Sequence, residues 1–270
     1  MTWAAHLDTA AACAVLAAAG TLWMPRVIAR LAEPDPDPEP TAEEVAAGLA
    51  RRQAAEERAA RRGKPLKEPV PEPPKELYAD LAAHPGLAAK LGAVAAVSGL
   101  VVGLALGWDW SLVFWVPLVP LGVTLGYIDW HTRLLPSDLV RPAYAVALLG
   151  VVVAAVASHA SGDLERAALG WLIAGSLYGV LWFVYPPGLG FGDVRLAGVL
   201  GITLGYLGWG QLLVGLYGGF LLGGVIGALL RLSGVVRQRH VPFGPFMLVG
   251  VLVGIAWGAQ VWSDLVVTSG

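Results

Sequence analysis

Two aspartates, Asp129 and Asp193, are the residues whose type and position most favour chemistry. Asp129 ends one apolar segment, and Asp193 begins another within the glycine-rich stretch 188–196. Ionisable groups at membrane depth are costly to retain, which makes them functional candidates. Two carboxyl groups can hydrolyse a peptide bond when the ionised one deprotonates a water and the protonated one polarises the carbonyl. The two residues are therefore a candidate general acid/base pair.

The glycines that precede Asp193 extend this candidate site. Gly190 and Gly192 would let a substrate backbone approach closely, where a side chain would block it. A structural alternative stays open for each aspartate taken singly. An aspartate at a helix end commonly caps that helix or pairs with a nearby arginine.

The sequence offers little support for other catalytic chemistries. Asp193 stands where a dinucleotide-binding fingerprint needs its third glycine. Ser98 and Ser233 lack the glycine two residues earlier that an intramembrane serine protease would have. The five histidines are scattered, and there is no His-Glu-x-x-His motif. Cys13 is the only cysteine, which excludes an intrachain disulfide and a cysteine-rich zinc cluster. We therefore predict no metal and no other cofactor.

The segments around both aspartates are apolar because most of the chain is. Hydrophobic residues make up 56% of the 270 residues and charged residues 14%, with a mean hydropathy of +0.65, as in membrane proteins. Runs of about 20 apolar residues, enough to cross a bilayer as a helix, recur along the chain. We predict an all-α polytopic membrane helix bundle of about eight transmembrane helices, at about residues 9–24, 87–107, 111–129, 139–158, 167–185, 194–208, 211–230 and 242–262.

The distribution of basic residues predicts the orientation of this bundle. With the N-terminus and the C-terminus outside, every Lys and Arg except Arg166 lies on the cytoplasmic side, as the positive-inside rule requires. Asp129 and Asp193 then lie at the same border of the bilayer and face the cytoplasm. The basic residues form no stripe interleaved with aromatic residues, so the predicted partners include the lipid bilayer but no nucleic acid.

Composition also predicts three parts of the chain. Residues 1–30 contain the first transmembrane helix, residues 31–86 form a cytoplasmic linker rich in Pro, Arg and Glu, and residues 87–265 form the membrane-embedded domain. Within the linker, alternating prolines at 34–40 predict an extended stretch. Thr41 and Glu44 have capping-box spacing and predict one exposed helix at about 42–62.

Small and rigid residues inside the apolar segments predict how the helices pack. Glycines repeat every four residues at 99, 103 and 107 and again at 215, 219, 223 and 227, which gives each helix a smooth face for close contact. Pro117 and Pro120 predict a kink or a break in the third transmembrane helix, since proline removes a backbone donor and crowds the preceding turn.

The segments that carry the two aspartates resemble the active-site motifs of the type IV prepilin peptidase family. In that family one Asp is followed seven residues later by the Pro of a Leu-Pro pair, and a second Asp closes a Gly-x-Gly-Asp motif. Asp129 with Leu135-Pro136 and the run 190–196 match both, and residues 241–246 match a Pro-Phe-Gly-Pro stretch of the family. The resemblance covers about residues 90–260. It implies that Asp129 and Asp193 are the catalytic pair of a GxGD-type membrane aspartyl protease.

The same resemblance implies a reaction, a location and partners. The enzyme would cleave the basic leader peptide from prepilin or pseudopilin precursors at the cytoplasmic face of the bacterial plasma membrane. Pro136 would contact the substrate together with Gly190 and Gly192. The chain departs from the family pattern at Ser137 and Asp138, where the family has Asp directly after Leu-Pro, and either residue could cap the next helix.

A second departure concerns methylation. Many bacterial members of the family carry paired Cys-x-x-Cys motifs of a methyltransferase segment after the first helix, whereas residues 31–86 contain no cysteine. N-methyltransferase activity is therefore not predicted for this chain.

Two functions from other classes stay open. A proton- or ion-coupled transporter also places aspartates on broken, glycine-rich helices, although its sites lie near the middle of the bilayer and often occur in internal repeats. A catalytically inactive relative would act as a pilus-assembly scaffold. The sequence indicates neither the oligomeric state nor the individual substrate.

Overall fold

The computed structural model describes residues 3–33, 41–61, 76–184, 189–232 and 242–268. Every element of secondary structure assigned within these residues is a helix, which confirms the predicted all-α class. The chain divides into two units, one formed by Met1–Leu31 with Lys75–Gly270 and the other by Ala32–Pro74. The proline-rich stretch 34–40, the predicted helix stop after residue 61, and Gly188, Ser233 and Val241 of the sequence motifs lie outside the described residues.

The larger unit contains ten of the eleven described helices. The helices of the whole chain, in order, are α1 Leu7–Gly20, α2 Met24–Ile28, α3 Ala42–Arg61, α4 Tyr78–Ala82, α5 Leu87–Leu106, α6 Leu112–Thr132, α7 Ser137–Ser158, α8 Ser161–Val184, α9 Phe191–Leu207, α10 Trp209–Leu232 and α11 Gly244–Thr268. A 3-10 turn, Thr21–Trp23, joins α1 to α2.

Seven helical segments among the described residues are long and apolar enough to cross a membrane. These are Leu7–Ile28, Leu87–Leu106, Leu112–Thr132, Ser137–Ser158, Ser161–Val184, Trp209–Ile226 and Gly244–Val266. They coincide with seven of the eight predicted transmembrane helices. The eighth is α9, which has 17 residues and is the central helix of the bundle, since every residue from Leu196 to Tyr206 is buried and α9 contacts α7, α8, α10 and α11.

Glycines allow the helices of this unit to approach at backbone distance. A Cβ on Gly99 would lie 2.5 Å from the carbonyl oxygen of Cys13 on α1, and one on Gly170 would lie 2.2 Å from the carbonyl oxygen of Gly201 on α9. The predicted glycine faces on α5 and α10 are therefore packing faces, as small residues commonly are in membrane bundles. On α10, Gly219 lies against the backbone of α11 at Met247.

The two prolines of α6 do not interrupt it. The helix is continuous from Leu112 to Thr132 with Pro117 and Pro120 inside, so α6 is not broken at these residues, and the alternative of a kink stays a prediction. Tight packing covers the region, because a Cβ on Gly20 of α1 would lie 2.8 Å from Cγ of Pro120. Neighbouring helices in this way shield backbone groups that proline leaves unpaired.

The smaller unit contains α3, which confirms the helix predicted at about 42–62. Its described side chains are exposed, and Arg52 forms an ion pair with Glu56 one turn later at 3.3 Å. Residues 78–82, which the sequence assigned to the linker, instead form α4 in the larger unit. Tyr78 and Leu81 of α4 are buried there, in contact with α2.

Candidate active site

Asp129 lies in the last turn of α6, and the local sequence ends the helix just beyond it. Arg133 adopts the left-handed conformation, with φ of 57°, and its N–H donates to the carbonyl oxygen of Asp129 at 2.8 Å. A residue in this conformation commonly terminates a helix. The hydroxyl of Thr132 donates to the carbonyl of Ile128 and accepts from the N–H of Leu134, which fixes the exit of the chain.

The Asp129 carboxylate is buried, with 4% of the residue exposed, and it contacts the first turn of α11. Its Oδ2 accepts a hydrogen bond from the backbone N–H of Gly244 at 2.9 Å. That N–H is one of the donors at a helix start that have no partner within the helix. The contact is very close, because a Cβ on Gly244 would lie 2.8 Å from Oδ2. A residue larger than glycine at position 244 would displace the carboxylate.

Asp193 occupies the first turn of α9 and is 7% exposed. Its Oδ2 accepts from the N–H of Gly190 at 2.9 Å, while its own N–H donates to the Gly190 carbonyl at 3.0 Å. The sequence-based alternative of a helix cap is therefore realised for Asp193 through one of its oxygens. The other oxygen, Oδ1, is buried and has no hydrogen-bond partner among the described residues. A buried carboxylate oxygen without a partner is costly and marks a position with another use.

The fold brings together the chain segments that carry the two carboxylates. The segments that carry them are in direct contact, since a Cβ on Gly192 would lie 2.8 Å from Cβ of Leu135 in the loop that follows Asp129. Arg195 of α9 donates a hydrogen bond to the hydroxyl of Ser137 at the start of α7. The ends of α6, α7, α9 and α11 thus meet at one end of the bundle.

The other predicted site residues lie around this pair. Gly190 is exposed and forms the N-cap of α9, whereas Gly192 is half-buried against Leu135. Pro136 is the N-cap residue of α7, and its carbonyl accepts from the N–H groups of Leu139 and Val140, both at 3.1 Å.

The expected side-chain cap of α7 is absent. Neither Ser137 nor Asp138 caps the helix through its side chain. Ser137 binds Arg195 instead, and Asp138 is exposed and pairs with Arg141 at 3.9 Å. Pro136, with an extended backbone, is the N-cap residue of α7, and it has no side-chain cap hydrogen bond.

Sequence reasoning missed an aromatic cluster beside Asp193. Tyr178 of α8 is fully buried and packs against Phe220 and Phe243 with tilted rings, at centroid distances of 4.9 Å and 6.1 Å. Its hydroxyl has no hydrogen-bond partner among the described residues. Phe243 directly precedes Gly244, which lies in the Pro-Phe-Gly-Pro stretch, so that motif was the available signal. Tyr178 itself gave no signal beyond one hydroxyl in an apolar segment.

A cavity of about 390 Å³ lies beside α6, but it is separate from the carboxylates. Its lining comes mainly from α5, α6, α9 and α11 and is almost wholly apolar, including Leu91, Leu118, Leu200 and Leu248. Neither aspartate lines it. An apolar cavity within a membrane bundle suits hydrocarbon, and the lining of this one contains no carboxyl group. The chemistry available to this unit therefore lies with the two buried carboxylates.

Comparison with known proteins agrees with this location. Residues 116–229, which include both aspartates, match the model of the type IV leader peptidase family. The chain is 28% identical to a prepilin leader peptidase/N-methyltransferase of Aeromonas hydrophila, over 62% of this chain and 57% of that relative. It is 30% identical to the protein of the same name from Pseudomonas aeruginosa, over 63% and 57%, and 32% identical to that from Escherichia coli, over 52% and 60%.

The alignments cover only part of this chain and part of each relative. The chain spans less than two thirds of the length of these curated relatives. No solved structure matches the chain. The segment 116–229, which contains Asp129 and Asp193, is thus similar to the type IV leader peptidase family.

Proposed function

We propose that this chain is an aspartyl endopeptidase that removes the basic leader peptide from prepilin or pseudopilin precursors. The observation that carries the proposal is the pair of buried carboxylates at the ends of two helices. Each is anchored through one oxygen by a backbone N–H, and Oδ1 of Asp193 is left without a partner among the described residues. The match of residues 116–229 to the model of the type IV leader peptidase family supports the reaction class.

The proposed mechanism uses Asp129 and Asp193 with one water. The ionised carboxylate takes a proton from the water, whose oxygen attacks the scissile carbonyl carbon, while the protonated carboxyl group donates a hydrogen bond to the carbonyl oxygen. The tetrahedral intermediate then breaks its C–N bond, and the leaving amine takes a proton from a carboxyl group. The backbone N–H bonds from Gly190 and Gly244 hold one oxygen of each residue in place, so the carboxyl groups are positioned before substrate binds.

The glycines at the site support a role in substrate contact. Gly190 is exposed and Gly192 is half-buried, and both precede Asp193 in the chain. An extended substrate backbone could lie against them at a distance that a side chain would prevent. We include Pro136 in the substrate-binding surface because it follows the Leu135 side chain that contacts Gly192.

We further propose that the site faces the cytoplasm at the border of the bacterial plasma membrane. The distribution of Lys and Arg supports this orientation, because the positive-inside rule favours a bundle with both termini outside and the two aspartates on the basic, cytoplasmic side. The position of the aspartates at helix ends fits a site at a membrane border better than the mid-membrane site of a transporter.

Co-expression with candidate prepilin precursors tests the proposed function. We expect the wild-type chain to shift the precursor to a shorter product on a gel, with N-terminal sequencing locating the cut after the basic leader. Asp129→Asn and Asp193→Asn should leave the precursor uncut at matched levels of inserted protein. Asp138→Asn is the matched control, because Asp138 is close in sequence to the site but is exposed. An uncut precursor with the wild-type chain and every precursor tested would favour the inactive scaffold.

The mass of the product tests the absence of methylation. We expect the cleaved product to retain an unmethylated N-terminus in cells that lack another methyltransferase, since residues 31–86 contain no cysteine. A methylated product in such cells would contradict this expectation.

A further inference from the structure

Three potential metal ligands that are distant in sequence meet in the larger unit. Glu76, His84 and His131 each offer one ligand atom, and these atoms all lie within 4.8 Å of one another. His131 lies in the last turn of α6, while Glu76 and His84 flank α4. The histidines are scattered along the sequence, which is why no metal was predicted from it. The fold brings two of them together because α4 packs into the bundle instead of belonging to a linker.

Hydrogen bonds already orient both imidazole rings. Nδ1 of His131 lies 2.9 Å from the carbonyl oxygen of Tyr127 one turn earlier. A carbonyl only accepts, so Nδ1 of His131 carries the hydrogen and Nε2 carries the lone pair. Metal-binding histidines are commonly held in this way, with the second ring nitrogen donating to a carbonyl or carboxylate.

His84 is oriented by the side chain of the same tyrosine. Its Nδ1 lies 2.7 Å from the Tyr127 hydroxyl, which in turn lies 3.4 Å from the carbonyl oxygen of Leu81. When the hydroxyl donates to that carbonyl, its oxygen accepts the Nδ1 hydrogen of His84, and Nε2 is left free for a metal. The two imidazole rings lie edge to face, with their centroids 5.8 Å apart.

The surroundings favour a cation bound by three ligands. Glu76 is exposed, so its carboxylate can move the short distance needed to close on an ion. The two histidines are half-buried, which limits their exchange with water. Two imidazoles and a carboxylate form a donor set that suits Zn²⁺ and similar ions, with a water completing a tetrahedral shell.

We propose that Glu76, His84 and His131 form a binding site for a divalent transition metal ion, with Zn²⁺ as the expected occupant. The ion ties the chain that enters α5 to the end of α6 that carries Asp129. It is separate from the carboxylate pair, because His131 is two residues from Asp129 and therefore points to a different face of α6. The site does not depend on the proposed peptidase activity.

Metal binding by the purified full-length protein tests this site. The protein carries an affinity tag without histidine, is stripped with a chelator, and is titrated with Zn²⁺ against a chromophoric competitor and with Co²⁺ by absorption spectroscopy. We expect one equivalent of metal to bind and a Co²⁺ spectrum of a four-coordinate site. His84→Ala and His131→Ala should weaken Zn²⁺ binding by more than about 100-fold, since changes to outer-shell partners alone cost about 10- to 100-fold.

Two further variants separate a metal site from a packing role. Glu76→Gln changes an exposed side chain and should leave metal-free thermal stability unchanged while weakening Zn²⁺ binding. Tyr127→Phe removes only the hydroxyl that orients His84 and should weaken binding by about 10- to 100-fold.

His159→Asn is the matched control. His159 is exposed and has a left-handed φ of 56°, which asparagine tolerates. We expect this variant to bind Zn²⁺ as the wild-type protein does. The proposal is overturned if the wild-type protein binds no metal, or if Glu76→Gln, His84→Ala and His131→Ala bind as tightly as His159→Asn.

Discussion

Glycine serves two purposes in this molecule, and they occupy different regions. Where two helices pack together, in what we call a seam, a glycine on one helix contacts the backbone of the other, as Gly170 of α8 contacts Gly201 of α9. At the site, a glycine meets a carboxylate, as Gly244 does with Oδ2 of Asp129. In both regions a Cβ would create a contact shorter than 3 Å, but the group that would have to move is different.

Because different groups would be displaced, a substitution in a seam should mainly lower the stability of the protein, and a substitution at the site should mainly lower its activity. In a seam, the displaced group is helix backbone, so the cost falls on the packing of the whole bundle. At the site, the displaced group is one side chain, so the cost falls on the position of a candidate acid or base. The same chemical change, glycine to alanine, should therefore give opposite signatures in the two regions.

The largest effect in this comparison is expected for Gly244→Ala in a cleavage assay. The added methyl group would lie 2.8 Å from Oδ2 of Asp129 and must displace it. A shift of about 1 Å at a catalytic group can cost about 100-fold in rate, so we expect kcat/KM to fall by about 10- to 100-fold. Gly175→Ala on α8 is the control, since no described atom lies within 4 Å of its added Cβ. Equal activity of the Gly244→Ala and Gly175→Ala variants would contradict the proposal that the contact of Gly244 with Asp129 matters for cleavage.

A smaller effect on activity but a larger one on stability is expected for Gly201→Ala. Its Cβ would lie 2.4 Å from the carbonyl oxygen of Gly170 and 2.7 Å from Cβ of Ala174, so α8 and α9 must separate. Overpacking of this kind costs about 1–3 kcal/mol. We expect a lower thermal midpoint in detergent, with most cleavage activity retained below that temperature. An unchanged midpoint, or lost activity in a stably folded variant, would remove the distinction between seam and site.

The smallest effect is expected when the smaller unit is removed. Replacing residues 34–73 with a short flexible linker should leave cleavage within about twofold of wild type, because α3 presents exposed side chains and a flexible chain can span the connection. The measurement is the rate of precursor cleavage at matched amounts of inserted protein. A strong loss of activity would show that this unit recruits substrate or positions the first helix.

Most of the fold could be predicted because a membrane leaves few options. Long apolar segments must satisfy their backbone groups internally, so helices follow directly from their length. Seven of the predicted segments are found as candidate transmembrane helices, and the eighth is α9. The fate of Pro117 and Pro120 could not be predicted, because it depends on packing by neighbouring helices such as α1.

The sequence was enough to predict which residues form the candidate site, but not how those residues contact one another. Asp129 and Asp193 are identifiable because each lies at the end of an apolar segment within a recognisable motif, and charged residues at membrane depth are rare. The bond from Gly244 to Asp129 joins residues far apart in the chain, and nothing in local spacing indicates it. Tyr178 and the cluster of Glu76, His84 and His131 were missed for the same reason, since only the packing of distant helices makes them neighbours.

A double-mutant cycle on the two aspartates is the most direct test of the central claim. Cleavage of one precursor is measured with purified Asp129→Asn, Asp193→Asn and the double variant, each checked for an unchanged thermal midpoint. If the carboxyl groups act as one acid/base pair, each single change should lower kcat/KM by at least about 1,000-fold. The double change should then cost little more than either alone, because residues that act as a unit are not additive. Substantial activity in either single variant, or losses that multiply in the double variant, would contradict the two-aspartate mechanism.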